Sequence, residues 1–207
     1  MKNGEVIREI LLNNTIRLIG EKGFESATTK NIVHTGSNSS DIRLNEVYIY
    51  RIFGSKELLY SEAFSTLDKE LFSFVGSIAQ RFQTSSRSFE EKMYFFFDKL
   101  WRFLLGNEAR CRCYVRFYYS AYFRENALRE HRKLLRAQRP LFTPIFKDES
   151  DVIALIHTTF MTMMDFAIRV YNGDIENTEE NVGHIFQLLY NSLISYFNPT
   201  AMEKPRN

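Results

Sequence analysis

Within Tyr48-Ile49-Tyr50-Arg51-Ile52-Phe53-Gly54-Ser55-Lys56-Glu57-Leu58-Leu59 one helix ends and another begins. Gly54-Ser55 stops the first, and the Ser55 hydroxyl is placed to cap the second, whose apolar positions are Leu58, Leu59, Ala63, Leu67, Leu71 and Phe72. Asn45 is a good N-cap for the first, so the spacing predicts a short helix over Glu46–Phe53. The following helix runs to about Phe82.

Upstream, Ile7, Ile10, Leu11, Leu18 and Ile19 keep the i, i+3, i+4 rhythm, which predicts an amphipathic helix over 3–22 that stops at Gly23. Ala27-Thr28-Thr29 opens a short second helix through Ile32 and Val33, which runs out near Thr35-Gly36-Ser37. Ser37–Arg43 is polar and loop-like. Three short helices followed by a long connector suggest a helix-turn-helix head.

Downstream the punctuation repeats. Ser88-Phe89-Glu90-Glu91 is a capping box before an apolar run to Leu105. Further helices are expected over about 108–123 and 125–139, broken or kinked at Pro140 and Pro144. Asp148–Asp151 is expected to cap a helix to Tyr171, and Thr178 one that ends at Phe197-Asn198-Pro199. The tail 199–207 is expected to fray. The expected fold class is therefore all-α with about nine helices: a head over 1–55 and a helical bundle over 56–198. Gly and Pro total only 13 of 207 residues, too few for a turn-dense sandwich or barrel, and no stretch alternates with a period of two.

The head carries a resemblance. Ile16-Arg17-Leu18-Ile19-Gly20-Glu21-Lys22-Gly23-Phe24-Glu25-Ser26-Ala27-Thr28 resembles the first-helix end and Gly-aromatic-x-x-Thr-Thr start of TetR-family regulators. Tyr48–Leu59 resembles that family's signature Leu-Tyr-x-x-Phe-x-Ser-Lys-Glu-x-Leu. The resemblance covers about residues 8–64. Asn14 and Thr15 stand where the family usually has small residues, and about six extra residues lie around 37–43. The resemblance implies a DNA-binding transcriptional regulator, most often a repressor, that binds a pseudo-palindrome of double-stranded DNA as a homodimer. It implies DNA-backbone contacts by Tyr50 and Lys56. Thr28 or Thr29 would meet a phosphate, Asn45, Glu46, Tyr48 and Arg51 lie where base edges would be met, and Phe53 packs the core.

Net charge is only +2, but it averages unlike regions. Residues 81–147 hold 15 basic and 6 acidic side chains, whereas residues 148–207 hold 3 and 9. The basic middle either pairs with the acidic end, faces water or holds an anion. Arg112 and Arg116 share a helix face, so they are candidates for an anionic group on a ligand.

Aromatic residues make up 15% of the chain and concentrate in Tyr94–Phe103 and Tyr114–Tyr122. Core packing is the commoner role for any one of them. As a set with the adaptable methionines of the late helix, Phe96, Trp101, Tyr114, Phe117, Tyr118, Met161 and Met164 are the candidate wall for a small hydrophobic or amphipathic effector. The family resemblance also implies such a ligand. The last two helices are nearly free of charge, which suggests that each is covered on both faces and that they pair a homodimer.

Met1–Leu12 is charged and does not read as a secretory signal. The uncharged stretch Asn181–Met202 has a polar stripe at helical spacing and reads as an amphipathic helix, with no membrane partner. Cys111 and Cys113 are too close in sequence for an ordinary bridge and fit a reducing cytoplasm. On a helix their thiols diverge by about 200°, which disfavours a shared metal. No catalytic constellation, metal spacing or phosphate loop is visible, so neither an enzyme nor a cofactor is expected. The alternative function is a ligand- or protein-interaction module whose head has lost DNA binding.

Overall fold

Lys2–Lys22 forms helix α1, and the residues after it show how local chemistry ends one helix and starts the next. Gly23 adopts a φ of +84°, which a residue with a Cβ rarely does, and a single 3-10 turn over Phe24–Ser26 follows. The Thr28 hydroxyl then accepts the Asn31 N–H at 3.1 Å and starts α2, Thr29–His34. The computed structural model describes residues 2–35 and 44–203; the Ser37–Arg43 segment and the last tail residues lie outside them.

Asn45 Oδ1 accepts the Val47 N–H at 3.0 Å, and α3 runs Val47–Phe53. The helix thus starts one residue later than expected. Gly54, at φ +84°, ends it, and Ser55 Oγ accepts the Leu58 N–H at 3.1 Å to start α4, Lys56–Thr84. The capping box at Ser88 forms as the sequence predicts and starts α5, Phe89–Leu105. Asn107 caps α6, Glu108–Tyr118. A π-helical turn over Phe123–Ala127 leads into α7, Leu128–Phe142.

Three expectations are corrected. Pro140 does not break its helix: α7 continues to Phe142, and Thr143 N–H reaches Arg139 C=O at 2.9 Å to close the last turn. Proline here removes only its own hydrogen bond, two residues from the helix end. Helix α8, Val152–Tyr171, receives no side-chain cap from Asp151; Asp148 bends the approach by accepting the Ser150 N–H at 2.7 Å. Finally, α9, Glu179–Leu193, gives way to a 3-10 turn at Ile194–Tyr196 and to a short α10, Pro199–Met202, where fraying was expected. The Asn198 side chain caps α10. Antiparallel bonds from Lys147 N–H to Tyr196 C=O and from Asn198 N–H to Ile145 C=O, both 2.8 Å, anchor this end, with Phe197 fully buried.

The fold is all-α, with ten α-helices and no strand among the described residues. It forms two compact units. The first comprises Met1–Lys69 and Asn107–His131, the second Glu70–Gly106 and Arg132–Asn207. In the first, α1 packs along α6 and against α2 and α3, around Leu11, Ile19, Ile32, Ile49, Leu59, Phe64 and Phe117. In the second, α5 packs against α8 and α9. Helix α8 is long and apolar enough to cross a membrane by length and composition alone, but it buries Val152, Ile156, Phe160, Met163, Met164 and Ala167 within its unit.

Candidate nucleic-acid interface and effector cavity

Asn14 shows how α2 is held to α1. The Asn14 amide donates to Ile32 C=O at 2.9 Å, and the Thr15 hydroxyl donates to Leu11 C=O at 2.7 Å; both side chains are buried. A buried polar group costs little once bonded; Asn14 ties α2 to α1, while Thr15 satisfies its hydroxyl within α1. From the other side, the Tyr60 hydroxyl donates to Ala27 C=O and the Asn31 amide to Ser26 C=O at 2.8 Å. Burial pushes the Tyr60 phenol up, so it stays a donor.

Helix α3 buries Ile49 and Phe53 and turns Val47, Tyr50 and Arg51 outward. Phe53 is in the core, as expected. Tyr50 is half exposed. Thr28 is exposed and occupied as a cap, while the Thr29 hydroxyl donates to the Glu46 carboxylate, joining α2 to the start of α3. The Arg51 guanidinium lies over the Tyr48 ring at 4.8 Å, and Lys56 Nζ lies 5.6 Å from the Tyr60 ring centroid. All eight residues proposed for DNA contact therefore fall in the first unit, on α2, α3 and the start of α4 or in the residues just before α2 and α3. Glu46, Asn45 and Arg51 already have internal contacts.

The expected effector wall does not gather in one place. Phe96 lines a small cavity of about 50 Å³ in the second unit, with Phe82, Met93, Phe142, Phe160 and Leu193 among its neighbours. Its polar member, Thr159, donates to Leu155 C=O at 2.7 Å, so the lining is effectively hydrocarbon. Trp101 is buried, donates its indole N–H to Asn177 at 3.2 Å and borders a separate open groove. Met164 is buried and Met161 half-buried on α8. Tyr114, Phe117 and Tyr118 belong to the first unit. Phe117 stacks on Phe64 with ring centroids 4.7 Å apart, and Tyr118 packs on Phe123 at 4.5 Å.

Tyr114 leads to residues that the sequence reading missed. Its hydroxyl donates to Asp68 Oδ1 at 2.9 Å, and His131 Nδ1 lies 3.0 and 3.1 Å from the two Asp68 oxygens. All three are nearly inaccessible to water. The signal was an aspartate one turn from Phe64 on the apolar face of α4, together with a histidine at the head of α7.

The arginines are also placed differently from expectation. Arg112 pairs with Glu108 at 2.7 Å. Arg116 donates to Ile19 and Gly20 C=O at 2.6 and 2.9 Å, capping the end of α1. Of the acidic end, Glu149 pairs with Arg139 at 3.2 Å. Among the described residues no group of His, Cys, Asp and Glu could hold a metal ion.

Cys111 and Cys113 are free and buried, and burial pushes each thiol up to about 12. Thiolate is the reactive form, so at pH 8 neither cysteine is expected to react with a thiol reagent on the minute scale. Both react once denaturant unfolds the chain. Rapid labelling of the native protein contradicts the burial.

Several solved structures share this architecture. A TetR-family transcription regulator from Marinobacter aquaeolei VT8 aligns over 92% of this chain and 97% of its own, with a TM-score of 0.69 and 17% identity. A TetR-like transcriptional regulator from Rhodococcus sp. RHA1 aligns over 90% and 96%, with a TM-score of 0.61 and 15% identity. The fatty acid degradation regulator FadR from Bacillus halodurans aligns over 88% and 93%, with a TM-score of 0.61 and 18% identity. No protein-family model and no curated protein matches the sequence. At such identities the likeness is one of fold, and the fold is that of TetR-family transcription regulators.

Proposed function

We propose that this chain is a cytoplasmic, DNA-binding transcriptional regulator, acting as a repressor. Its head, residues 1–55, reads a pseudo-palindromic operator as a homodimer, and the rest of the chain, 56–198, senses a small apolar or amphipathic effector and pairs the subunits. The observation that carries the reading is helix α3. It is anchored by Ile49 and Phe53, yet it offers Val47, Tyr50 and Arg51 to the outside, as a helix entering a major groove must. The shared fold supports the same reading.

For the dimer, the support is the surface of α9 beyond its acidic first turn, and of the turn after it, which carries no Asp, Glu, Lys or Arg and exposes Leu188, Ile194 and Tyr196. Isologous pairing of α8 and α9 covers them. Effector binding then shifts the population toward head positions that no longer match the operator, because a ligand moves an equilibrium only by its differential affinity for the two states.

The test is DNA affinity measured against salt. Lys56→Ala and Tyr50→Ala are expected to weaken binding to all sequences alike, and Lys56→Ala to lower the salt slope by about 1. Tyr48→Ala or Asn45→Ala is expected to change sequence preference instead. Affinities unchanged by all four substitutions contradict the proposed interface.

A further inference from the structure

We infer that Val47 selects a thymine in the operator, through contact with the base's 5-methyl group. This rests on α3 being the DNA reader, as proposed above. Val47 occupies the first turn of α3 on the same outward stripe as Tyr50 and Arg51, opposite the buried Ile49 and Phe53. Its side chain is 66% exposed, and among the described large apolar residues only Tyr119 shows more.

Several groups around Val47 already have partners within the protein, which leaves its isopropyl group the outermost apolar element of the helix start. Asn45 Oδ1 accepts the Val47 N–H at 3.0 Å, the Glu46 carboxylate accepts the Thr29 hydroxyl, and Arg51 lies over Tyr48 at 4.8 Å. An isopropyl group has no donor or acceptor. In the major groove it tells base pairs apart only by apolar contact, and the thymine methyl is the apolar group there. This helix thus presents an apolar methyl reader beside its polar candidates for base contact.

The size of the effect follows from burying one methyl-sized apolar group, about 0.8 kcal/mol or roughly fourfold in affinity. Two half-sites in a dimer give about sixteenfold when both thymines lose the methyl.

The experiment uses the full-length protein and the duplex that it enriches from a randomised pool. Each thymidine of that duplex is replaced in turn by deoxyuridine, which removes only the methyl. The wild-type protein is expected to lose about fourfold at one thymine in each half-site. Val47→Ala is expected to bind the thymine and uracil duplexes equally, and a melting curve like the wild type's establishes that the variant is folded. Val47→Ile retains the discrimination. A wild-type protein indifferent to every uracil overturns the inference while leaving DNA binding intact, and so does a sensitive thymine whose effect survives in Val47→Ala. A pool that yields no preferred duplex overturns the reader assignment itself, and this inference with it.

Discussion

Asp68→Ala is expected to destabilise the protein by about 3–5 kcal/mol, the usual cost of removing one partner from a buried charged cluster. Asp68 is 1% exposed and accepts from Tyr114 at 2.9 Å, with His131 Nδ1 at 3.0 Å. Alanine leaves the Tyr114 hydroxyl and the His131 ring without their acceptor in a place water cannot reach. For a chain of this length that corresponds to a melting temperature about 10 °C lower. Asp68→Asn keeps an acceptor for Tyr114 and is expected to melt between Asp68→Ala and wild type. A melting curve for Asp68→Ala that coincides with the wild type's removes the cluster from any structural account.

The same cluster sets a pH dependence. Burial first, and then the Asp68 charge, hold the Tyr114 phenol well above its ordinary value of 10.0. A group whose folded value is raised contributes its full stability below the unfolded value and loses it as pH climbs toward the folded one. Stability from Tyr114 is thus complete below about pH 10 and declines above it. The buried thiols add to the decline, from their ordinary 9.0 toward about 12.

Gly20→Ala is the second large effect, and its sign opposes helix propensity. In an exposed helix the change stabilises by about 1 kcal/mol. Here the new Cβ would lie 2.0 Å from Ala109 O and 2.7 Å from Ala109 C. These are backbone atoms of α6, so no rotamer relieves the overlap, and α1 must separate from α6 where Arg116 holds Ile19 and Gly20 C=O. Overpacking of this kind costs about 3 kcal/mol. Gly76 provides the contrast. Its added Cβ would meet only the Gln138 and Leu141 side chains, at 3.8 and 3.9 Å, so Gly76→Ala is expected to raise the melting temperature. If Gly20→Ala melts at or above the wild type, the close approach of α1 and α6 is wrong.

The sequence made helix ends visible because local chemistry sets them. Gly23 and Gly54 stop helices by their backbone, and Thr28, Ser55, Ser88, Asn107 and Thr178 start them through a hydroxyl or amide within three residues. Partners distant in sequence stayed hidden. Arg116 was open to pairing with the acidic end, to water or to an anion, yet its partners are carbonyls some hundred residues upstream, on α1. The order after Phe197 depends on pairing with Ile145 and Lys147, which no local pattern encodes.

The candidate site divides in the same way. The placement of Tyr50, Arg51 and Lys56 on and beside α3 was legible because a linear signature sets it, and their contact with DNA is what we propose. The effector wall was not, because aromatic density has two causes. Phe117 and Tyr114 serve the core around Phe64 and Asp68, while Phe96 reaches a cavity. Gly20 did carry a readable signal, since glycine inside a helix without a packing reason is a cost.

We propose that α3 reads DNA within a symmetric dimer. The most direct test is selection of duplexes from a randomised pool by the full-length protein, with the mass of the resulting complex measured by light scattering. The expected result is an enriched sequence with two inverted half-sites, bound by two chains, with an affinity that falls steeply as salt rises. A folded protein that enriches no sequence, even in low salt, would contradict it.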